Sequence, residues 1–451
     1  MNSMTNAQNR PFCAWRALLP AIVGGLLLGG CSDWWGDSDK KPLPGERLSI
    51  LMVDRKLEPD NRISGRPVTI PPPQRLEHWP QPGGTPDHAP GHIELAAAPR
   101  EVWRSSIGSG SDGTVRLIAR PVVAGGRLYA LDADTRLTAL DAQTGSRLWQ
   151  VDLRPEAARG DAFGGGVIVG DGVLFVSTGF AEILALSPAN GAVQWKKKLN
   201  SPARGAPTLA NNRVIVTTLD NQTAAFSAQD GTPIWSHTGI IESAGLLGTV
   251  SAATDGAVVI VPYSSGELYA LRVENGRPLW QDSMAGLRRG GALSGLADIR
   301  GLPVIDRGRA FAVSHSGRMI AIDLRSGARV WEQELGGVDM PWVAGEYLFV
   351  LSNENEVAAL LRDSGHIRWV ASLPRYENPQ KRQDPIVWAG PTLAGGKLWL
   401  TSSTSELVGL AAETGDILVR MRLPDAAYQA PIVANGTLYV LTDNGSIVAF
   451  R

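Results

Sequence analysis

Residues able to do chemistry are few in this chain. Its 451 residues include six histidines, His78, His88, His92, His237, His315 and His366. Only His88 and His92 share a metal-ligand spacing, four apart. The text between them, Ala89-Pro90-Gly91, is a helix breaker, so the pair does not read as a zinc site. There is no Ser/His/Asp order, no His-Glu-x-x-His and no phosphate-binding P-loop. Gly108-Ser109-Gly110 reads as a loop and Gly164-Gly165-Gly166 opens a strand. Neither lies between a strand and a helix, where a phosphate cradle forms. Asp141, Asp323 and Glu413 recur at turn positions, and turn geometry accounts for them better than catalysis does. No catalytic residue, metal site or cofactor is expected.

One thiol has a chemical use. Met1 to Arg16 is polar with two arginines, Ala17 to Gly30 is apolar, and Leu28-Gly29-Gly30-Cys31 follows. A basic start, a short apolar run and small residues before a cleavage point make a secretory signal, too short for a stable span. A Cys placed directly after Leu-Gly-Gly resembles the bacterial lipobox. That resemblance implies cleavage after Gly30, a diacylated Cys31 and a third chain on its new amine. Several acyl chains give firm membrane attachment. Ser32, not Asp, follows, so the usual inner-membrane retention signal is missing. The implied address is the periplasmic face of the outer membrane in a Gram-negative cell. Cys13 falls in the discarded leader, so no disulfide is available.

The elements that carry the rest of the chain are announced by one phrase used seven times. It reads ALDAQTGSRLW from Ala139 to Trp149 and AIDLRSGARVW from Ala321 to Trp331. Further copies start at Ala185, Ala225, Ala270, Ala359 and Gly409. A small residue opens each copy, Gly sits six positions on, and Trp ten positions on. The last copy has Val419 in place of Trp. A period of about 45 residues with strand-like text throughout is the signature of a β-propeller. Each repeat reads as a four-stranded antiparallel meander, with apolar runs bounded by Gly, Asp and Asn. The recurrent Gly suits a turn needing positive φ. Trp103, Trp149, Trp195, Trp235, Trp280, Trp331 and Trp369 read as framework wedges between blades.

The two ends of the chain complete an eighth repeat. Ile447 to Arg451 matches the opening of the phrase, and Val102-Trp103 supplies its Trp strand. The fold expected is all-β, an eight-bladed propeller over 98–451 whose last blade is closed by N- and C-terminal strands. Such closure removes the sheet edges a linear array would expose. Composition agrees: Gly is 51 residues, and Trp, at 14, outnumbers Phe at 8 and Tyr at 7. A net charge of −1 gives no reason to expect nucleic acid.

Residues 1–30 are thus a leader, and 31–97 a tether with a Pro-rich extension. Ser32 to Pro44 is polar, Leu48 to Val53 reads as a short strand, and Val68 to Gly91 as an extended arm. Trp79, followed by Pro80-Gln81-Pro82-Gly83-Gly84, is placed to dock on the propeller. A tether lets the propeller work at a distance from the bilayer.

The phrase A-x-D-x-x-T-G-x-x-x-W resembles the repeat of the pyrroloquinoline quinone propellers. Two groups share it. The quinone-dependent dehydrogenases carry a pair of adjacent cysteines over the cofactor and a calcium site, and this chain has no such pair. The other group is the BamB family, lipoproteins of the outer-membrane β-barrel assembly machinery. Similarity to it covers about 100–451, most closely Leu302-Pro303-Val304-Ile305 through Trp331-Glu332-Gln333-Glu334-Leu335-Gly336. It implies a non-catalytic scaffold that binds a BamA-like barrel component through its periplasmic domains. The matching loops are Gly245-Leu246-Leu247-Gly248 and Leu296-Ala297-Asp298-Ile299-Arg300, which makes Leu246, Leu247, Asp298 and Arg300 candidate contacts. Asp298 matches an acidic family position, whereas Arg300 stands where the family has a second acid. Nascent outer-membrane proteins are a further expected partner, held by β-augmentation at strand edges. The membrane is reached through the lipid alone. The alternatives are a quinone-dependent oxidoreductase and a generic envelope-binding propeller.

Overall fold

The computed structural model describes residues 56–242, 245–246, 248, 250–285 and 298–451. The leader, Cys31, the segment 48–53 and Leu247 lie outside the described residues. Eight four-stranded antiparallel sheets follow one another along the chain, the eight-bladed propeller the repeat predicts. In the first blade the strands are Val122–Ala124, Arg127–Leu131, Arg136–Asp141 and Arg147–Asp152, innermost to outermost. The next six blades occupy 165–198, 208–238, 253–283, 304–333, 342–372 and 388–422. The eighth joins Ile432–Ala434, Thr437–Thr442 and Ser446–Phe450 to Glu101–Ser106. Trp103 there lies opposite Ala449, so the two chain ends complete one sheet.

The register explains the phrase. Its opening small residue faces its Trp across the two outer strands in every intact copy, as in Ala139 opposite Trp149 and Ala321 opposite Trp331. Only a small side chain leaves room for the indole there. The indole then reaches the following blade. Trp149, Trp195, Trp235, Trp280, Trp331 and Trp369 donate Nε1–H to the carbonyls of Pro188, Ala228, Val273, Leu324, Arg362 and Ala412, at 2.8–3.2 Å. The phrase glycine of that next blade sits under the ring. Gly145, Gly191, Gly231, Gly276, Gly327, Gly365 and Gly415 have φ of 69–81°. A Cβ on any of them would come within 2.5–2.9 Å of the preceding blade's Trp. These glycines therefore serve the left-handed turn and the close approach together.

Two exceptions follow from the same geometry. Trp103 packs on Gly145 and on Tyr439 at 5.8 Å, yet its Nε1–H finds no acceptor. The carbonyl in the matching position, Ala142 O, accepts from Tyr439 Oη and Arg451. Val419 stands where the other intact copies have Trp, facing the eighth blade, whose outer strand Glu101–Ser106 comes from the other end of the fold, so no third-to-fourth turn lies there. No phrase glycine exists there for an indole to cover.

The apolar core is divided into layers between consecutive blades. One cluster joins the first and second blades through Val122, Leu137, Val167 and Leu184, and another joins the fourth and fifth through Ile260, Leu268, Ala310 and Ile322. Most outermost strands alternate exposed and half-buried residues, as Arg147–Asp152 does. By connectivity, the turns after the first and third strands of each blade lie at one end of the ring, the turn rim. The turns after the second strand and the connections between blades lie at the other, the loop rim.

The Pro-rich arm is bound rather than free. From Asp60, whose amide donates to Ile367, it passes along the sixth blade to Pro67, whose carbonyl accepts from Tyr347 Oη. It then runs round the turn rim. It is not extended throughout: turns occupy 81–88, with Gly83, Gly84 and His88 in the left-handed region. Trp79 is 3% exposed, pairs with Val123 in an antiparallel bridge and stacks on Trp342 at 6.2 Å. His88 and His92 are part of this docking. His88 Nδ1 donates to Pro303 O at 2.7 Å, and burial pushes its pKa down to about 4. His92 Nδ1 donates to Pro71 O, and its Nε2 accepts from the Gly396 amide.

Candidate partner-docking site

On the loop rim, the connection leaving the third blade departs from the blade pattern. Its last strand, Pro233–Thr238, runs into Gly239-Ile240-Ile241, a polar-surface position occupied by two β-branched apolar residues. The backbone is fixed from below. Gly239 lies against the Tyr263 ring, where a larger residue would collide, and its amide donates to Asn221 O. Asn221, held at φ 57°, donates from Nδ2 to Ile240 O at 2.6 Å, and its Oδ1 accepts from the Ser264 amide and hydroxyl. Glu267 accepts the Ile240 amide at 2.7 Å and also the hydroxyls of Ser265 and Tyr269. Tyr263 Oη contacts Thr223 Oγ1 and His237 Nδ1, both at 2.9 Å. Burial raises the Tyr263 pKa and lowers that of His237, so both are neutral at pH 7.

With the Ile240 backbone bonded on both sides, its side chain and those of its neighbours Ile241 and Leu219 are left outside. Ile240 and Ile241 are 59% and 66% exposed, and Leu219, in the second-to-third-strand turn of the same blade, is 47% exposed. The half-buried Leu246 belongs to the next stretch of the same connection. Apolar side chains gathered on a rigid polar footing are the composition of a contact surface.

The four candidate contacts are placed differently from one another. Leu246 and Arg300 are partly exposed on the loops, and Leu247 is outside the described residues. Asp298 does not face solvent as a partner-facing acid would. It is fully buried in an ion pair with Arg204, itself 2% exposed. Its second oxygen accepts the Leu246 amide at 2.7 Å, and its carbonyl accepts the His315 amide. Arg204 also donates to Pro262 O and Ile299 O. Burial pulls the Arg204 pKa down while the Asp298 charge holds it up, and a guanidinium keeps its proton in such a setting. The pair thus ties the lead-in of the third blade to the loops flanking the fourth. Arg204 was invisible in the sequence, 94 residues from its partner and outside the repeat phrase. The Ile240-Ile241 pair did carry a signal, since it follows a completed Trp strand where turn residues are expected.

Comparison with known proteins adds to this geometry. A family model described as outer membrane protein assembly factor BamB matches residues 93–161, 156–371 and 377–451. Outer membrane protein assembly factor BamB of Yersinia pestis is 25% identical over 364 residues, 79% of this chain and 90% of that protein. The protein of the same name from Xanthomonas campestris is 29% identical over 357 residues, 78% of this chain and 85% of that one. In Escherichia coli (strain K12) the figures are 26% over 360 residues, 79% and 89%. Among solved structures, BamB from Moraxella catarrhalis superposes with a TM-score of 0.67 at 19% identity, covering 78% of this chain and all of that one. A quinohemoprotein alcohol dehydrogenase from Comamonas testosteroni gives 0.63 at 13% identity, over 84% and 81%. Those two likenesses concern the fold.

Proposed function

The chain belongs to the family of the outer membrane protein assembly factor BamB, and from that premise we propose that it is a non-catalytic scaffold of the outer-membrane β-barrel assembly complex. Lipid on Cys31 anchors it to the periplasmic face of the outer membrane. The loop rim at the third and fourth blades grips the periplasmic domains of a BamA-like barrel component. The observation that carries this reading is the apolar set Leu219, Ile240, Ile241 and Leu246, held outward by Asn221, Glu267 and Asp298. Burying the exposed Leu219, Ile240 and Ile241 in an interface is worth at most roughly 1.5–3 kcal/mol each, which places them at the centre of a contact. Arg300, half-exposed beside them, adds a rim cation, and Leu247 belongs to the same loop. Asp298 acts through the loop it holds.

The test is affinity capture of the full-length protein from gently solubilised envelopes, followed by mass spectrometry. The expected result is recovery of the barrel-assembly core with the native chain and its loss with Ile240→Asp plus Ile241→Asp. Capture that survives this charge pair sinks the interface. Replacing Cys31 by Ser is expected to move the protein from the membrane to the soluble periplasmic fraction.

A second contact is favoured by the outer strands. Val102, Leu148, Val193, Ile234, Leu279, Val330 and Leu418 are exposed apolar residues on the outer strands of seven blades. Such edges offer unpaired backbone groups to an extended apolar segment. Nascent barrel strands are the occupant this suits. Weakening of unfolded-porin binding by Lys substitutions along these edges is the expected result, and unchanged binding counts against it.

A further inference from the structure

The arm's path round the turn rim has a consequence of its own, independent of the docking reading. Six amides on this rim donate to arm carbonyls: Asn435 to Leu76, Val123 to Trp79, Val169 to Pro80, Thr254 to Pro86, Ile305 to Asp87 and Gly395 to Ile93, at 2.6–2.9 Å. In blade order these are the eighth, first, second, fourth, fifth and seventh, and Trp342 of the sixth donates to Gly91 O at 2.8 Å. Residues 76–93 thus make one circuit of the ring. The circuit is then tied shut. Gln74 pairs with Ile93 in a parallel bridge, the Gln74 amide donates to His92 O, and the Glu94 amide donates to Gln74 O, both at 2.8 Å.

Where the knot lies matters. One side, 74–76, is held on the eighth blade, with Arg75 donating to Asn435 Oδ1 and the Asn435 amide to Leu76 O. The other side, 92–95, is held on the seventh, where Ile93 bridges Ala394 and the Gly396 amide meets His92 Nε2. The knot therefore spans the junction between the seventh and eighth blades. That junction has Val419 in place of Trp and no phrase glycine to receive one. It is also the seam beside the blade made from both chain ends, where a ring can open.

We propose that the turn rim is a binding groove for a proline-rich peptide, that the chain's own residues 67–97 fill it in cis, and that this built-in ligand latches the seventh blade to the eighth. The recognition is mainly by main-chain bonds, with Trp79, His88 and Ile93, 3%, 0% and 1% exposed, as the most deeply buried anchors. Proline suits the ligand because its fixed φ lowers the entropy lost on docking, and because the arm offers the rim carbonyls, which proline keeps. The groove is occupied, so this mouth of the ring is closed to other peptides while the arm is seated.

The test uses the folded full-length chain with a protease site inserted after Ala97, an exposed position between arm and propeller. After cleavage the arm is expected to co-elute with the propeller and to be displaced only by excess synthetic 67–97 peptide. Displacement is expected to speed amide exchange at least tenfold in the strands of the seventh and eighth blades, with the second and third unchanged. An arm that leaves at once on cleavage overturns the site. Exchange that rises equally in all blades, or nowhere, overturns the latch. Should the arm-free ring unfold, the uncut Ile93→Ala chain gives the same reading with the arm still attached: faster exchange confined to the two seam blades supports the latch, and uniform or unchanged exchange refutes it.

Discussion

The two rims of the propeller are built on opposite principles. The turn rim is closed mainly by backbone: amides of six blades donate to arm carbonyls, and its perimeter is locked by Trp indoles over phrase glycines. The loop rim at the third and fourth blades is closed by side chains: Asn221, Glu267 and the Arg204–Asp298 pair hold irregular backbone in place. The first principle covers the inner strands with the chain's own arm. The second leaves apolar side chains outside above backbone bonded to Asn221, Glu267 and Asp298. A repeat fold can keep its frame generic on one end and individual on the other, because the two ends draw on different parts of each repeat.

The largest expected effect tests the loop rim's footing. Arg204→Met leaves the Asp298 carboxylate buried without its cation, and breaking such a pair costs about 3–5 kcal/mol. A matching loss in urea midpoint is expected, and Arg204→Met with Asp298→Leu is expected to recover much of it. If Arg204→Met alone is neutral, side chains do not hold this rim. Next comes the perimeter of the other rim. Trp331→Ala is expected to cost about 3–5 kcal/mol, since it removes a buried indole, its bond to Arg362 O and its cover of Gly365. Val419→Trp, at the one junction without a receiving glycine, is expected to add less than about 1 kcal/mol. Equal effects at both positions would erase the distinction between the locked junctions and the seam.

How much of this was legible in the sequence follows the same divide. The phrase repeats every blade, so its small residue, Gly and Trp gave the strand order, the blade count and even the split blade. Its one failure, Val419, had a reason that only the register supplies: the missing turn lies between residues 450 and 101. The arm was legible as a docking segment from Trp79, but not as a circuit. Proline-rich text has no period, and bonds made through carbonyls leave no side-chain trace. The acidic loop position counts as a contact in the sequence only through its match to an acidic position of the family, and nothing in the loop's own text points to a partner 94 residues away. Long-range pairing of charges outside a repeat is the information a single sequence lacks.

The third prediction concerns pH and the turn rim. His88 is fully buried, neutral and hydrogen-bonded to Pro303 O, with a folded pKa of about 4. The unfolded value is near 6.5, so the unfolded chain binds the proton first. The stability His88 contributes is present above about pH 6.5 and is lost as pH falls toward 4, by about 3 kcal/mol in all. The urea midpoint is expected to drop across that window, and less so in His88→Asn. Identical pH profiles would show that this histidine is hydrated, and that the arm is not seated on the fifth blade as tightly as the other contacts imply.

The smallest expected effect on stability is the one that separates the rims most clearly. Ile240→Asp places a charge on a side chain already 59% exposed, above backbone whose bonds to Asn221 and Glu267 do not involve it. Surface changes of this kind alter stability by no more than about 0.5 kcal/mol. The urea midpoint should therefore stay put while envelope capture of the assembly core fails. On the turn rim no comparable substitution exists, because Trp79 and Ile93 are buried and cannot be changed without disturbing the arm. Of the two rims, a stable variant that has lost its partner comes from the one whose apolar side chains are carried outside the fold.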